Sequence, residues 1–409
     1  MVPLSVIIVG AGPSGLLLAR LLSRSGIRNI KLLEANPIPT RDYRAVFYQP
    51  ISIHEFKRAG VWDEVRNSAH QLRSVCWRDA ADGGKRLFGM PSQDTWLMSV
   101  DTLTGIVRRH VEQDESSELL FNHRVINVGQ DEDIAWVTVD TPTGPAKMEA
   151  SYVVACDGAQ STVRRSVFGA GVMEGFTWDK QLVAANIQGD LSTRFPDIED
   201  SNIFLHQTDA WLLFRLPQEP DTWRVIYRDS EAANEELVSK ATSRIQKLLA
   251  SGSEAPTFKL LAANPYRIHQ RLVPEMVKGR VILAADAAHL CCPYGALGLN
   301  GGIADVGSLS DCLAAIYTGD ADASILDVYS RVRREKWQSH IDPVSQRTMK
   351  MVFSNPTAII PDHPLYKMCK MLESEQDALK KHGKSGPDPL ILQYDFSQHF
   401  NYPRVDISS

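Results

Sequence analysis

The feature that most narrows the fold is Gly10-Ala11-Gly12-Pro13-Ser14-Gly15, set directly behind the apolar run Leu4 to Val9 and ahead of the helical stretch Leu16 to Ser25. A strand that ends in G-x-G-x-x-G and opens a helix predicts one βαβ unit, closed here by a second strand over Ile30 to Leu33. The residues have separate tasks. Gly10 permits the sharp turn, Gly12 lets a pyrophosphate approach the backbone, and Gly15 allows the helix to pack closely. Pro13 sits in the first helical turn, where a missing N–H costs little, and Gly26 follows the last turn, where a left-handed cap favours glycine. Together with Ser14 these residues present free N–H groups and the positive end of a helix to phosphates. Glu34, nineteen residues after Gly15, would accept hydrogen bonds from a ribose diol and repel a 2′-phosphate. The unit therefore points to a dinucleotide without a 2′-phosphate.

Composition bounds the remainder. The 409 residues are 44% hydrophobic and 23% charged, which fits a folded chain of two or three domains. The net charge is -5 and no dense basic block occurs, so no nucleic-acid partner is expected. Six cysteines without a C-x-x-C pair indicate neither a disulfide framework nor a zinc site, and no metal is expected. With no basic leader and no apolar stretch of membrane-spanning length, the expectation is a cytoplasmic protein without a transmembrane segment.

Beyond the βαβ unit, Ile53 to Val65, Asp101 to Glu112 and Glu231 to Ala250 have helical periodicity. Leu72 to Phe88 reads as strands around Asp82-Gly83-Gly84, and Trp136 to Asp140 with Ala146 to Ala150 as a hairpin around Pro142 to Pro145. Four strand-like runs between Leu182 and Arg228 suggest a sheet of their own. From Ile325 onward the pattern is helical or irregular.

Two further clusters carry chemistry. One is the apolar run Tyr152 to Ala155, breaking into Cys156-Asp157-Gly158 and then a basic helix with Arg164 and Arg165. The other runs from Gly279 through Ala285-Asp286-Ala287-Ala288-His289 to Pro293-Tyr294-Gly295-Ala296-Leu297-Gly298-Leu299-Asn300. Glycines that dense at a strand end suggest a ligand lying against backbone.

In this order and at these separations, the three clusters resemble the class A flavoprotein monooxygenases, the para-hydroxybenzoate hydroxylase family. The resemblance implies an α/β fold: a Rossmann-type FAD-binding domain with an inserted, mainly antiparallel β-sheet substrate domain and C-terminal helices. Residues 1–70, 98–175 and 275–335 would form the FAD-binding domain, 71–97 and 176–274 the substrate domain, and 336–409 a C-terminal helical segment. It further implies that Arg44 lies near the FAD phosphates and Asp157 between FAD and a transient NADPH or NADH. Asp286 would bond the ribityl chain, and the amides of Gly298, Leu299 and Asn300 would face the flavin's pyrimidine edge. Three positions depart from the family pattern: Ala285 replaces a glycine, Cys292 a common proline, and Val100 a residue that is often polar.

The activity so implied is hydroxylation of a small aromatic or electron-rich ring, consuming NAD(P)H and O2 through a flavin C4a-hydroperoxide, with a homodimer admitted as an assembly. Candidates for the substrate wall are His206, Trp211, Phe214, Arg215, Arg224 and Tyr227 on the inserted strands. Of these, His206, Arg215 and Tyr227 are the candidate catalytic residues, His206 because an imidazole titrates near neutrality and could deprotonate a phenol. His289 is read as bracing its turn, and Cys291 and Cys292 as small buried hydrophobes. Two alternatives remain open: an FAD-dependent oxidase or reductase on the same fold, and a non-enzymatic carrier built on the dinucleotide scaffold.

Overall fold

The computed structural model describes residues 4–37, 45–92, 94–216, 220–229, 234–250, 254–356, 366–367 and 390–400. Its first layer grows from the glycine turn. The strand Ser5–Val9 lies at the middle of a six-stranded sheet, flanked in parallel register by Asn29–Leu33 and Tyr152–Ala155. Val281–Leu283 extends one side and Ser117–Leu120 the other, both parallel, and Val277–Lys278 closes one edge antiparallel. The central strands are apolar on both faces because both are covered, by the mutually packed helices Pro13–Arg24, Val100–Glu112 and Leu297–Thr318 and by the antiparallel strands Ala135–Thr141 and Gly144–Ala150. Pro13–Arg24 supplies the right-handed crossover, and Leu297–Thr318 is buried along most of its length.

A three-stranded antiparallel sheet, Arg124–Gln130, Ala135–Thr141 and Gly144–Ala150, fills the connection from Ser117–Leu120 to Tyr152–Ala155. Two of its strands form the hairpin expected around Pro142 to Pro145; the third adds to it. The region expected as one helix over Ile53 to Val65 is two, Pro50–Arg58 and Trp62–Ser68, because Gly60 adopts a φ of +71° between them.

The second layer is an eight-stranded sheet built from Ser74–Asp79 and Lys85–Pro91 together with Glu174–Gln188, Ser201–Leu205, Trp211–Leu216, Thr222–Arg228, Lys259–Leu272 and His289–Leu290. All its pairs are antiparallel except Ser74–Asp79 with Ser201–Leu205. The helix Asn234–Ala250 packs Leu237, Ile245 and Leu249 onto one face, against Val183, Trp223 and Val225. The other face turns towards the six-stranded sheet. Its far end is closed by Met349 and Val352 of the helix Asp342–Val352. No helix among the described residues is long and apolar enough to cross a membrane.

Candidate active site

The glycine turn is built by sterics. Gly10 has a φ of +101°, donates its N–H to Leu33 O at 2.8 Å, and would place a Cβ 2.5 Å from Cys156 O. A Cβ on Gly15 would lie 2.0 Å from Gly10 O, so both positions exclude any side chain. Gly12 differs: its Cβ would meet nothing within 4 Å. The space beside Gly12 opens on a cavity of about 1160 Å³, which Gly10, Gly12, Pro13, Ser14 and Glu34 also line. Gly15 is absent from that lining and serves the packing of helix on strand.

Glu34 braces this turn. Its Oε2 accepts from Ala11 N at 3.1 Å and its Oε1 from the backbone and side-chain nitrogens of Asn36 at 2.9 and 2.8 Å. Arg44 lies outside the described residues. Asp157 lines the cavity at the end of the strand Tyr152–Ala155, and its Oδ2 accepts from Thr162 N and Val163 N at 2.7 and 3.2 Å. Its Oδ1 is buried without a partner among the described residues, and burial raises the carboxyl above its ordinary range.

The third cluster presents Asp286, exposed at the cavity, from a turn whose neighbours Ala285 and Ala287 are buried. Ala285 is held at a φ of +55°, a left-handed conformation that costs a residue with a Cβ about 1–2 kcal/mol. The departure from glycine at this position therefore carries strain, which a buried network offsets. Asp305 Oδ2 accepts from Ala285 N at 2.9 Å and pairs with His289 Nε2 at 2.6 Å, while Arg333 Nε donates to Asp305 Oδ1 at 2.7 Å. Burial alone would raise the Asp305 carboxyl, but His289 and Arg333 together hold it below the usual carboxylate range. Arg164 links the second cluster to the third, donating to Ala287 O at 2.8 Å and Ala159 O at 2.6 Å.

Gly298 and Leu299 line the cavity in the first turn of the 22-residue helix Leu297–Thr318, where backbone N–H groups have no intrahelical acceptor. The Asn300 side chain is fully engaged elsewhere. Its Oδ1 accepts from Gln49 N and Ser52 Oγ, and its Nδ2 donates to Phe47 O and Ala296 O, tying this helix to the segment 47–52. Burial pushes the Cys292 thiol up to about 11 and holds Cys291 well above its ordinary value, so both remain neutral, small apolar groups.

The cavity continues from this helix to the inner face of the eight-stranded sheet. Register places Phe214, Arg224, Asn186 and Ala262 side by side across four strands, with Leu212, Ile226, Ala184 and Asn264 in the next row. All eight line the cavity, as do Phe47, Tyr266 and Tyr294. Arg224 is 7% exposed and its Nη1 donates to Asn186 Oδ1 at 3.1 Å, which fixes a cation on an otherwise largely apolar wall.

The residues expected to be catalytic, His206, Arg215 and Tyr227, do not line this cavity. His206 does not line the cavity: its Nδ1 accepts from Thr208 N at 3.2 Å and Asp209 N at 2.9 Å, closing the turn after Ser201–Leu205. Arg215 and Tyr227 alternate with Phe214 and Ile226 and so fall on the helix-covered face. There Arg215 lies over the Trp223 ring at 4.5 Å, and Tyr227 is buried with its hydroxyl pushed up to about 12. Of the residues that sequence reasoning passed over, Asn186 sits on the expected strand Leu182 to Ile187, whereas Asn264 and Tyr266 sit on Lys259–Leu272, a strand that reading did not include. The only signal at Asn186 was alternation, and from Leu182 to Ile187 both faces of its strand are buried.

A carboxylate with a bare buried oxygen, open space at Gly12 and free amides at a helix start fit an extended dinucleotide with a negative end group. Comparison with known proteins agrees. A family model described as "FAD binding domain" matches residues 3–343. The chain is 32% identical over 373 residues to para-nitrophenol 4-monooxygenase of Pseudomonas sp. (strain WBC-3), covering 88% of this chain and 91% of that protein. It is 28% identical to 6-hydroxy-3-succinoylpyridine 3-monooxygenase of Pseudomonas putida (strain DSM 28022 / S16), covering 85% and 88%. Among solved structures, p-nitrophenol 4-monooxygenase from Pseudomonas putida DLL-E4 superposes with a TM-score of 0.83 at 30% identity, covering 93% of this chain and 98% of that one.

Proposed function

Because the chain belongs to the class A FAD-dependent aromatic monooxygenases, we propose that its substrate is a small single-ring phenol with a polar group opposite the hydroxyl, p-nitrophenol being the first candidate. The enzyme is an FAD-dependent oxidoreductase that hydroxylates an aromatic ring at the expense of NAD(P)H. The observation that carries the substrate reading is the continuity of one cavity, from Gly12 to the row Phe214, Arg224, Asn186 and Ala262.

The residues would divide the work as follows. Gly10, Gly12, Pro13 and Ser14 hold the pyrophosphate of FAD, Glu34 the adenosine ribose, and Asp286 the ribityl chain. The amides of Gly298 and Leu299 face the pyrimidine edge, where the positive end of their helix stabilises negative charge on the reduced ring. FAD held there would supply the redox chemistry, by which two electrons from NAD(P)H reduce O2 so that one oxygen atom enters the ring and the other leaves as water. The protein's own part is to bind, orient and exclude water. Phe47, Phe214, Ile226 and Leu212 make the chamber apolar, while Arg224, held by Asn186, attracts a negatively charged oxygen on the ring.

The test uses purified holoenzyme, ¹⁸O₂, NADH or NADPH, and a panel of para-substituted phenols including p-nitrophenol. A phenol that accelerates NAD(P)H consumption and gains one labelled oxygen supports the reading. NAD(P)H consumption without label in any product would favour the oxidase or reductase alternative.

A further inference from the structure

Two cavity-lining residues carry a buried polar atom that has no partner among the described residues. One is Asp157 Oδ1, at the dinucleotide end; the other is the Tyr294 hydroxyl, at the chamber end. The Tyr294 side chain is 3% exposed, and its ring is fixed edge-on against Phe353 with centroids 6.0 Å apart and planes at 83°. It packs in one cluster with Leu212, Ile226 and Tyr266 of the sheet's chamber face. A phenylalanine would fill the same apolar space. Keeping a buried hydroxyl unsatisfied costs about 1–3 kcal/mol, so a phenol at this position calls for a partner that the described residues do not supply.

Its place in the chain says what kind of partner. Tyr294 lies on the short loop between the strand His289–Leu290 and the helix Leu297–Thr318, four residues before Gly298. The loop thus places Tyr294 on the chamber wall and leads directly into the helical turn whose amides are expected at the flavin edge. We infer that Tyr294 is a specificity-determining residue that donates a hydrogen bond to an oxygen substituent of the substrate ring. Burial, with the Tyr266 phenol nearby, holds the Tyr294 hydroxyl well above its ordinary titration range, so it acts as a donor throughout the working pH range. Arg224 reaches the chamber from the sheet, and Tyr294 from the helix side. A ring with one oxygen at each end is held by both, whereas an oxygen-free ring offers the Tyr294 hydroxyl no acceptor.

This inference rests on the proposed phenol substrate, and its test separates the two. Binding of p-nitrophenol and of toluene to FAD-loaded wild type and Tyr294→Phe is followed by perturbation of the flavin spectrum, and ligand-free stability by urea unfolding. The variant is expected to bind p-nitrophenol about tenfold more weakly, to bind toluene as before, and to show an unchanged or raised urea midpoint. Unchanged p-nitrophenol affinity, equal losses for both rings, or a lowered urea midpoint would each overturn the assignment, the last by revealing a partner for the hydroxyl within the folded protein. If wild type binds no phenol of the panel, the substrate reading itself fails and the assignment falls with it.

Discussion

At the scale of single residues, the glycine turn separates folding from binding. Gly10 and Gly15 are required by the chain itself, since a Cβ at either would lie within 2.5 Å of a backbone oxygen. A Cβ at Gly12 would meet nothing within 4 Å among the described residues. Gly10→Ala is therefore expected to lower the stability of FAD-free protein by at least about 2 kcal/mol, combining clash with a left-handed backbone. Gly12→Ala should leave that stability within about 0.5 kcal/mol and weaken FAD binding tenfold or more, because its methyl occupies the approach to the phosphates. Urea unfolding without FAD and fluorescence titration with FAD measure the two quantities. A Gly12→Ala protein that binds FAD normally would show that the phosphates pass elsewhere. These roles were legible in the sequence because a turn of six residues states its own steric demands. The strain at Ala285 was not legible: its left-handed backbone is imposed by Asp305, twenty residues later, and nothing local announces it.

At the scale of elements, the strands between Leu182 and Arg228 were visible but their faces were not, and the long strand Lys259–Leu272 was not read at all. In Thr222–Arg228, Trp223, Val225 and Tyr227 alternate with Arg224 and Ile226, and both sets are largely buried. A period of two identifies such a strand without saying which side meets the helix Asn234–Ala250 and which the chamber. Arg215 and Arg224 look equivalent in sequence and lie on opposite faces. Arg215→Ala should cost about 0.5–1 kcal/mol through its lost stacking on Trp223 and change kcat/KM less than twofold. Arg224→Ala should raise KM for p-nitrophenol tenfold or more with FAD affinity unchanged, which steady-state kinetics would show directly. Equal kinetic effects from the two variants would refute the assignment of faces. The helices carry a pH dependence of their own. Glu55 of Pro50–Arg58 accepts from Arg58 Nη1 at 3.1 and 2.9 Å, and Arg58 also pairs with Asp311 of Leu297–Thr318. Burial outweighs the attraction of Arg58 and pushes Glu55 from 4.5 up to about 7. The folded state then holds a proton that the unfolded chain releases above 4.5, so stability falls as pH rises between those values. The loss from this group alone reaches about 3 kcal/mol, and Glu55→Gln should flatten the difference between urea midpoints at pH 5 and pH 8.

At the scale of the whole molecule, the groove is assembled from segments that meet only in the folded state. The turn at Gly10, the strand end at Asp157 and the turn at Asp286 sit at the same ends of adjacent parallel strands, because Ser5–Val9 pairs with Tyr152–Ala155 and that strand with Val281–Leu283. Arg164 then ties the segment after Asp157 to the turn at Asp286 through buried hydrogen bonds, and Asp305 holds that turn in place. The unfolded chain offers FAD no such convergence, so binding stabilises the native state by mass action, by about 2.7 kcal/mol when free FAD is a hundredfold above its dissociation constant. That stabilisation should be present in full in Arg224→Ala, which alters the chamber, and cut to about 1.4 kcal/mol or less in Gly12→Ala at the same FAD concentration. The loss in Asp305→Asn should be intermediate, because Asp286 keeps its place in sequence but its turn loses the carboxylate that holds Ala285 N–H and His289. Urea unfolding of the three variants with and without FAD gives the ranking. Were Asp305→Asn to gain as much from FAD as wild type, the turn at Asp286 would be set by backbone alone, and the buried network would serve the helix Ile325–Lys336 rather than the cofactor.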